Sequence, residues 1–236
     1  MYGISSQQWK VIFSIFLRHK DLINWVKLFG SRARGDGRVT SDVALAVSVK
    51  DGATLSLIEA FEDSSLPYTF DIIDYDRQSN ENLKKEIDRD GKLLFSVKGG
   101  RSIMTDTQLR LKWEDYHRAM DSLRIAVKWE RDADNMYLDA TIQRFEFCFE
   151  LAWKLMKSAL AYEGIEASSP RSSIREGWKQ GLIDSAEKWL DMLEKRNLSS
   201  HTYNETTAMD VYNCIIGEYL DLLSALEHKI KERISN

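Results

Sequence analysis

Val97-Lys98-Gly99-Gly100 is where the chain changes character. Before it, short apolar runs alternate with amphipathic stretches. Residues 5–20 place Trp9, Ile12, Phe13, Phe16 and Leu17 on one stripe, which predicts a helix. Trp25-Val26-Lys27-Leu28-Phe29 reads as a strand ending at Gly30-Ser31, and Val43-Ala44-Leu45-Ala46-Val47 as a second. A helix over Ala53–Phe61, a third strand over Tyr68–Asp74 and a short helix over Glu81–Asp90, closed by Gly91, complete the run. Alternation of this kind over about 95 residues predicts a small α/β domain.

After the glycine pair everything reads as helix. Leu109, Trp113, Tyr116, Met120, Leu123 and Val127 recur at steps of four and three, and so do Leu138, Ile142, Phe145, Phe149, Ala152 and Met156. A third helix opens at Ser169-Pro170, a cap followed by proline in the first turn, and ends before Gly181. The fourth opens at Asp184 with Glu187 three residues on, a capping-box spacing, and runs through Trp189 and Leu193. The fifth takes Val211, Ile215, Tyr219, Leu222, Leu226 and Ile230. Five such stripes predict a helical bundle. The glycine pair then reads as a linker between two domains, 1–98 and 104–236.

A chain of 236 residues is long for one small core and comfortable for two. No window approaches the run of about eighteen apolar residues that a membrane span requires, and Met1-Tyr2-Gly3-Ile4-Ser5 lacks a secretion-signal layout, so a cytoplasmic protein without membrane contact is expected. Cys148 and Cys214 fall in helical apolar patterns, which suits buried thiols better than a disulfide or metal site. The formal net charge is -4, with 14 basic and 14 acidic side chains in the first hundred residues and 19 and 23 in the rest. Any contact with nucleic acid must therefore come from a local cluster, and a general RNA-coating role is disfavoured.

Such a cluster stands at Arg196-Asn197-Leu198-Ser199-Ser200-His201-Thr202-Tyr203. A guanidinium holds phosphate through paired hydrogen bonds, an imidazole moves protons near neutrality, and a phenol oxygen can accept a transferred group. On a continuous helix Arg196 and His201 would lie about 140° apart. To meet one phosphate they need a helix break between them, or two copies of the chain around a shared cleft.

In the first half, Gly30-Ser31 offers a backbone that a phosphate can approach closely. Positions 42 and 44 point the same way on a strand, so carboxylates there could clamp a divalent metal together with Asp71 from a neighbouring strand. Arg32, Arg34 and Arg38 could touch nucleotide phosphates or serve as loop charges. Gln143, Arg144, Glu146 and Glu150 read as ion pairs and a solvated stripe, and His19, His117 and His228 carry no metal-ligand spacing.

Residues 20–95 resemble the minimal nucleotidyltransferases of the polymerase-beta fold, through Gly30-Ser31, Ser41-Asp42-Val43-Ala44-Leu45-Ala46-Val47 and Phe70-Asp71-Ile72-Ile73. The resemblance implies ATP and Mg2+ as cofactors, Gly30 and Ser31 at the nucleotide, and Asp42 and Asp71 at the metal. The family has Asp-x-Asp where this chain has Asp42-Val43-Ala44. Losing one carboxylate should weaken the metal site severely and impair transfer. A lone Ala in an otherwise intact motif favours an introduced change over natural loss.

Residues 105–230 resemble HEPN domains, the substrate-binding partners of those transferases. The motifs that carry this are Asp139-Ala140-Thr141-Ile142-Gln143-Arg144-Phe145-Glu146-Phe147, Glu150-Leu151-Ala152-Trp153-Lys154, Ser169-Pro170-Arg171, Trp189-Leu190-Asp191-Met192 and the Arg-x4-His-x-Tyr of Arg196, His201 and Tyr203. The resemblance implies a toxin and antitoxin joined in one polypeptide. The helical half would be a metal-independent ribonuclease acting on RNA, tRNA included, with Arg196 and His201 catalytic and no cofactor. The transferase half would silence it by adding AMP from ATP to Tyr203, and the protein would form a homodimer or higher homo-oligomer through its HEPN domain. Two rivals are a small-molecule nucleotidyltransferase whose bundle only binds substrate, which needs a working metal site, and a binding module silent in both halves.

Overall fold

The computed structural model describes residues 1–38, 40–50, 52–130, 135–199 and 205–235. They form two compact units, Met1–Leu111 and Lys112–Asn236. The first holds α1 (Ser6–Arg18), β1 (Ile23–Phe29), the one-turn α2 (Gly30–Arg34), β2 (Val43–Val49), α3 (Ala53–Glu62), β3 (Phe70–Asp74), α4 (Glu81–Asp90), β4 (Lys92–Lys98) and β5 (Arg101–Ile103). The strands make one sheet in the order β3-β2-β1-β4-β5. β2 and β3 run parallel, and the other neighbours are antiparallel. The fold is thus α/β followed by helices, as the sequence predicts.

Alternation along the strands decides which residues face which side. Val26 and Leu28 of β1 and Val43, Leu45 and Val47 of β2 bury one face against Trp9, Ile12 and Phe16 of α1 and Leu57 and Phe61 of α3. Ser5 and Gln8 start α1 with a reciprocal capping box, and Leu17, placed on the apolar stripe by the sequence, is in fact about half exposed. The opposite face is thinner: Phe29 and Ala46 pack on Ile87 of α4, with Ala44 and Ile73 half-buried beside them.

Gly99-Gly100 is not a linker. Lys98 pairs with Arg101 across it, and the two glycines have φ of 57° and 76°. Two successive left-handed residues are what a two-residue hairpin turn demands, because only that twist matches the strands it joins. Lys92–Lys98 and Arg101–Ile103, absent from the three-strand reading, are therefore the fourth and fifth strands.

The second unit takes over within α5 (Asp106–Ala126) and continues through α6 (Met136–Tyr162), α7 (Pro170–Lys179), α8 (Ala186–Ser199), α9 (Glu205–Cys214), a π-turn (Ile215–Tyr219) and α10 (Leu220–Ser235). Tyr116, Met120 and Leu123 are buried, as are Phe145, Phe149, Ala152 and Met156, and Trp189, Met192 and Leu193. Ser169 and Ser172 cap α7 reciprocally with Pro170 in its first turn. At α8 the cap is Ser185, whose Oγ accepts from Lys188 N at 3.3 Å, and not Asp184, which pairs with Lys229 at 2.5 Å. Beneath α5 the buried Glu227 carboxylate accepts from Arg124 and His117, and Trp113 stacks on His117 at 5.1 Å.

The last stripe shifts by one residue. Val211, Ile215, Tyr219, Leu223, Leu226, Ile230 and Ile234 are buried, with Leu223 where the sequence suggests Leu222. Three successive steps of four would drift about 120° around an ordinary helix. The π-turn accommodates one extra residue and brings Leu223 back onto the face.

Gly91 follows α4 so closely that a Cβ there would lie 2.2 Å from the Ile87 carbonyl oxygen. Gly91→Ala is expected to lower unfolding free energy by about 1–3 kcal/mol, the range for forced overpacking. Gly99→Ala, in open space and strained only by its φ, should cost about 1 kcal/mol. Urea denaturation of the two variants checks the order.

Candidate functional sites

In the first unit three adjacent strands converge on one spot. Phe29, the last residue of β1, pairs with Ala44 of β2, and Ala44 pairs with Asp71 of β3. Gly30 follows Phe29 with φ of 72°, and a Cβ placed on it would lie 3.8 Å from Ala44 Cβ. Only a residue free of Cβ strain turns the chain there, so Gly30 stays beside Ala44, with Ser31 next in the chain. Asp42 precedes β2 by one residue, and both it and Asp71 are exposed. The loop after α2 folds back on itself: the amides of Gly35, Asp36 and Gly37 all donate to the Ser31 carbonyl at 3.0, 3.1 and 3.1 Å. A Cβ on Gly37 would come within 3.1 Å of Ser31 Oγ.

The donor set here does not fit a hard divalent cation. Asp42 and Asp71 supply charged oxygens and Ala44 supplies a methyl. Among the described residues no three His, Cys, Asp or Glu side chains are grouped to hold a metal. Small, strongly hydrated cations rely on carboxylate charge to displace their water, so the cradle lacks a ligand at its centre.

Of the three loop arginines, Arg32 turns into the fold. It is buried, its Nε donates to the Ser41 carbonyl at 2.8 Å and its Nη1 to the Tyr2 carbonyl at 2.9 Å, and its guanidinium lies 4.9 Å from the Tyr68 ring centre. Arg34 reaches Glu86 of α4 at 2.5 Å. Arg38 is exposed at its side chain. Arg32 thus ties the Ser31 loop to the residue before Asp42.

In the second unit Arg196 occupies the stripe of α8 that buries Trp189, Met192 and Leu193 one to two turns earlier. Its Nη2 meets Glu150 Oε1 of α6 at 3.0 Å, and its Nη1 lies 3.3 Å from Asn197 Oδ1. The other carboxylate oxygen of Glu150 takes Lys154 Nζ at 3.0 Å and Trp153 Nε1 at 3.2 Å. Glu150, read from sequence as part of an ion-paired stripe, is therefore the group that links the two cations. Its spacing to Lys154 on one helix face was visible in the sequence; its pairing with Arg196, 46 positions away, was not. Arg144 serves structure instead, donating to Ser122 Oγ at 3.0 Å and to the Ala140 carbonyl at 3.1 Å while covering Trp129. α8 continues past Arg196 to Ser199; His201, Thr202 and Tyr203 lie outside the described residues.

Fold and sites together define a nucleotidyltransferase-type α/β domain followed by a helical domain of the kind that serves it. Residues 12–99 match the family described as polymerase beta, nucleotidyltransferase, and residues 111–232 match the family described as nucleotidyltransferase substrate binding protein like. The chain belongs to the latter family, whose match covers more than half of it, and joins a polymerase-beta-type nucleotidyltransferase domain to a HEPN-like substrate-binding domain.

Among known proteins it is 36% identical over 97 residues to the "Probable ribonuclease HepT" of Haemophilus influenzae, covering 39% of this chain and 66% of that protein, just under two thirds of its length. A solved structure from the same organism, described as revealing the fold of a substrate binding domain of a nucleotidyltransferase, matches at 26% identity and a TM-score of 0.39 over 54% of this chain and 99% of that one. A tri-AMPylated Shewanella oneidensis HEPN toxin in complex with MNT antitoxin matches at 18% identity and a TM-score of 0.45, over 52% and 96%. No described helix is long and apolar enough to cross a membrane.

Cys148 is buried and Cys214 half-buried, so only the first behaves as the sequence suggests. Burial pushes the Cys148 thiol up to about 12. Folded protein should resist iodoacetamide at pH 8 at Cys148 and react there once unfolded, as peptide mass mapping would report. The sign for stability follows. Below about pH 9, the ordinary thiol value, both states keep the proton; above it only the unfolded chain releases it, so stability should fall as pH rises toward 12.

Proposed function

We propose that the helical half, 104–236, is a metal-independent ribonuclease and that the α/β half, 1–98, is its adenylylating regulator, impaired in this chain by Ala44. The observation that carries the reading is Arg196. A cation on the core-facing stripe of α8, held by Glu150, whose other oxygen takes Lys154, heads the Arg-x4-His-x-Tyr stretch in a chain that is 36% identical over 97 residues to a probable ribonuclease.

The chemistry asked of these residues is modest. His201 takes the proton of the ribose 2′-hydroxyl as that oxygen attacks phosphorus; the bond to the 5′-oxygen breaks, and a proton returns to the leaving oxygen. Arg196 steadies the negative charge that builds on the phosphoryl oxygens. Glu150 keeps the guanidinium directed until a phosphate replaces it as partner. AMP on Tyr203, two residues from His201, would place a bulky anion beside that cleft and compete with RNA phosphate for Arg196. A homodimer through the helical domain would let each chain complete the other's cleft, RNA and tRNA being the substrate class and ATP the donor for modification.

A small-molecule transferase would need the metal cradle that Ala44 leaves incomplete. His201→Ala is expected to lower RNA cleavage at least 100-fold, the usual order for losing a general acid–base. Cleavage that survives the substitution unchanged refutes the ribonuclease reading. On the regulatory side, Ala44→Asp should raise AMP transfer to the peptide holding Tyr203 by roughly 100-fold, the scale of one electrostatic stabiliser at a reacting centre. Mass spectrometry of that peptide after incubation with ATP and Mg2+ reads it directly, and equal transfer by the two forms would sink the claim that Ala44 impairs the site.

A further inference from the structure

The π-turn has a second effect besides restoring the buried stripe. It presents two consecutive residues, Glu218 and Tyr219, to one side of α8. Glu218 pairs with Lys188, and the Tyr219 hydroxyl donates to Asp191 Oδ2 at 2.5 Å. Lys188 and Asp191 are three apart, so they share a side of α8. The Tyr219 ring is itself fixed, 1% exposed and stacked on Phe145 of α6 at 5.6 Å with 19° between planes. Burial and the Asp191 bond both push its phenol well above the usual range, so it stays a hydrogen donor at any working pH.

Asp191 and Arg196 sit on the same helix five residues apart, about 7.5 Å along the axis and 140° around it. Phe145 and Glu150 are likewise five apart on α6. Tyr219 therefore touches both helices that carry the Glu150–Arg196 pair, below the pair and from a different side. α8 is held along its buried stripe and by exposed ion pairs of Glu194 with Arg171 and Lys188 with Glu218; Tyr219 adds a tie to Asp191 from a fixed, buried ring, a stiffer restraint on rotation than solvated side chains give.

We infer that the Tyr219–Asp191 hydrogen bond, delivered by the π-turn, fixes the rotation of α8 and so aims Arg196 at Glu150 and at the phosphate that replaces it. Tyr219 and Asp191 are positioning residues, touching neither substrate nor reacting atoms. In an uninterrupted α-helix one residue shorter, positions 218 and 219 would turn about 100° away from the face set by Leu223 and Leu226, and the tie would not form. The inference rests on the ribonuclease reading for its consequence but not for its geometry.

The test uses the full chain and bulk tRNA. Tyr219→Phe keeps the ring and its stack and removes only the hydroxyl; Asp191→Ala removes the acceptor; Asp191→Asn keeps an acceptor oxygen. Tyr219→Phe and Asp191→Ala should each lower kcat about tenfold, the scale of one lost hydrogen bond. The double variant should be no worse than either single one, as expected of two partners in one interaction. Asp191→Asn should come back to within about threefold of the parent.

The 15N-edited NMR signal of the Arg196 guanidinium, assigned with Arg196→Lys, gives a readout that needs no RNA. It should move or broaden in Tyr219→Phe and Asp191→Ala and stay near the parent position in Asp191→Asn. An Arg196 signal unmoved by Tyr219→Phe overturns the inference, as does a kcat loss that disappears at temperatures where the variant is fully folded. If the parent cleaves no tRNA, the ribonuclease reading fails while the Arg196 signal still decides whether Tyr219 positions it.

Discussion

A guanidinium cannot be left alone on the core-facing side of a helix, and much of the second unit's arrangement answers that constraint. Trp189, Met192 and Leu193 draw their side of α8 into the apolar interior, and Arg196 follows them on the same line. Charge taken partly out of water must be met by opposite charge with good geometry. Glu150 meets it from α6, and Lys154 balances the second carboxylate oxygen. The three are partly exposed, so the pairing adds little to stability, on the order of 1 kcal/mol or less. What the pairing sets is direction: the guanidinium is held, partly exposed, at the surface of the bundle.

The first unit solves a different problem, that of bringing residues far apart in sequence to one point. Here the sheet does the work. The pairings of Phe29 with Ala44 and of Ala44 with Asp71 set the three positions side by side at strand spacing, and Gly30 lets the chain leave β1 without intruding on them. Arg32 adds a brace from inside, connecting the loop carrying Ser31 to the start of β2 and to the backbone at Tyr2.

Patterns of burial were largely legible in the sequence, and exceptions to regular geometry were not. Helices α1, α5, α6 and α8 and the first three strands follow from apolar spacing, although Leu17, at the end of the α1 stripe, is half exposed. A glycine pair such as Gly99-Gly100 serves a linker and a tight hairpin equally well; only the pairing of Lys98 with Arg101 distinguishes them. Counting by 3.6 favours Leu222 over Leu223 because it presumes an unbroken helix, and nothing local marks a π-turn. Ser185 displaced Asp184 as a cap because adjacent residues of similar chemistry compete and long-range pairing with Lys229 decides. At the sites, Gly30, Ser31, Asp42, Asp71 and Arg196 carry recognisable chemistry at recognisable spacing, whereas Glu150 acquires its partner only through helix packing.

Ala44 also sits where the fold itself suits an apolar side chain. Its methyl rests half-buried among Phe29, Ala46 and Ile73, surroundings that suit a small apolar group. A carboxylate in the same place would crowd negative charge against Asp71 and give up water for little in return. Folding therefore exerts no pull toward acid at this position and favours its absence. A scaffold of this kind keeps, or even gains, thermodynamic robustness with a small apolar residue at such a position, so its architecture does not depend on a carboxylate there.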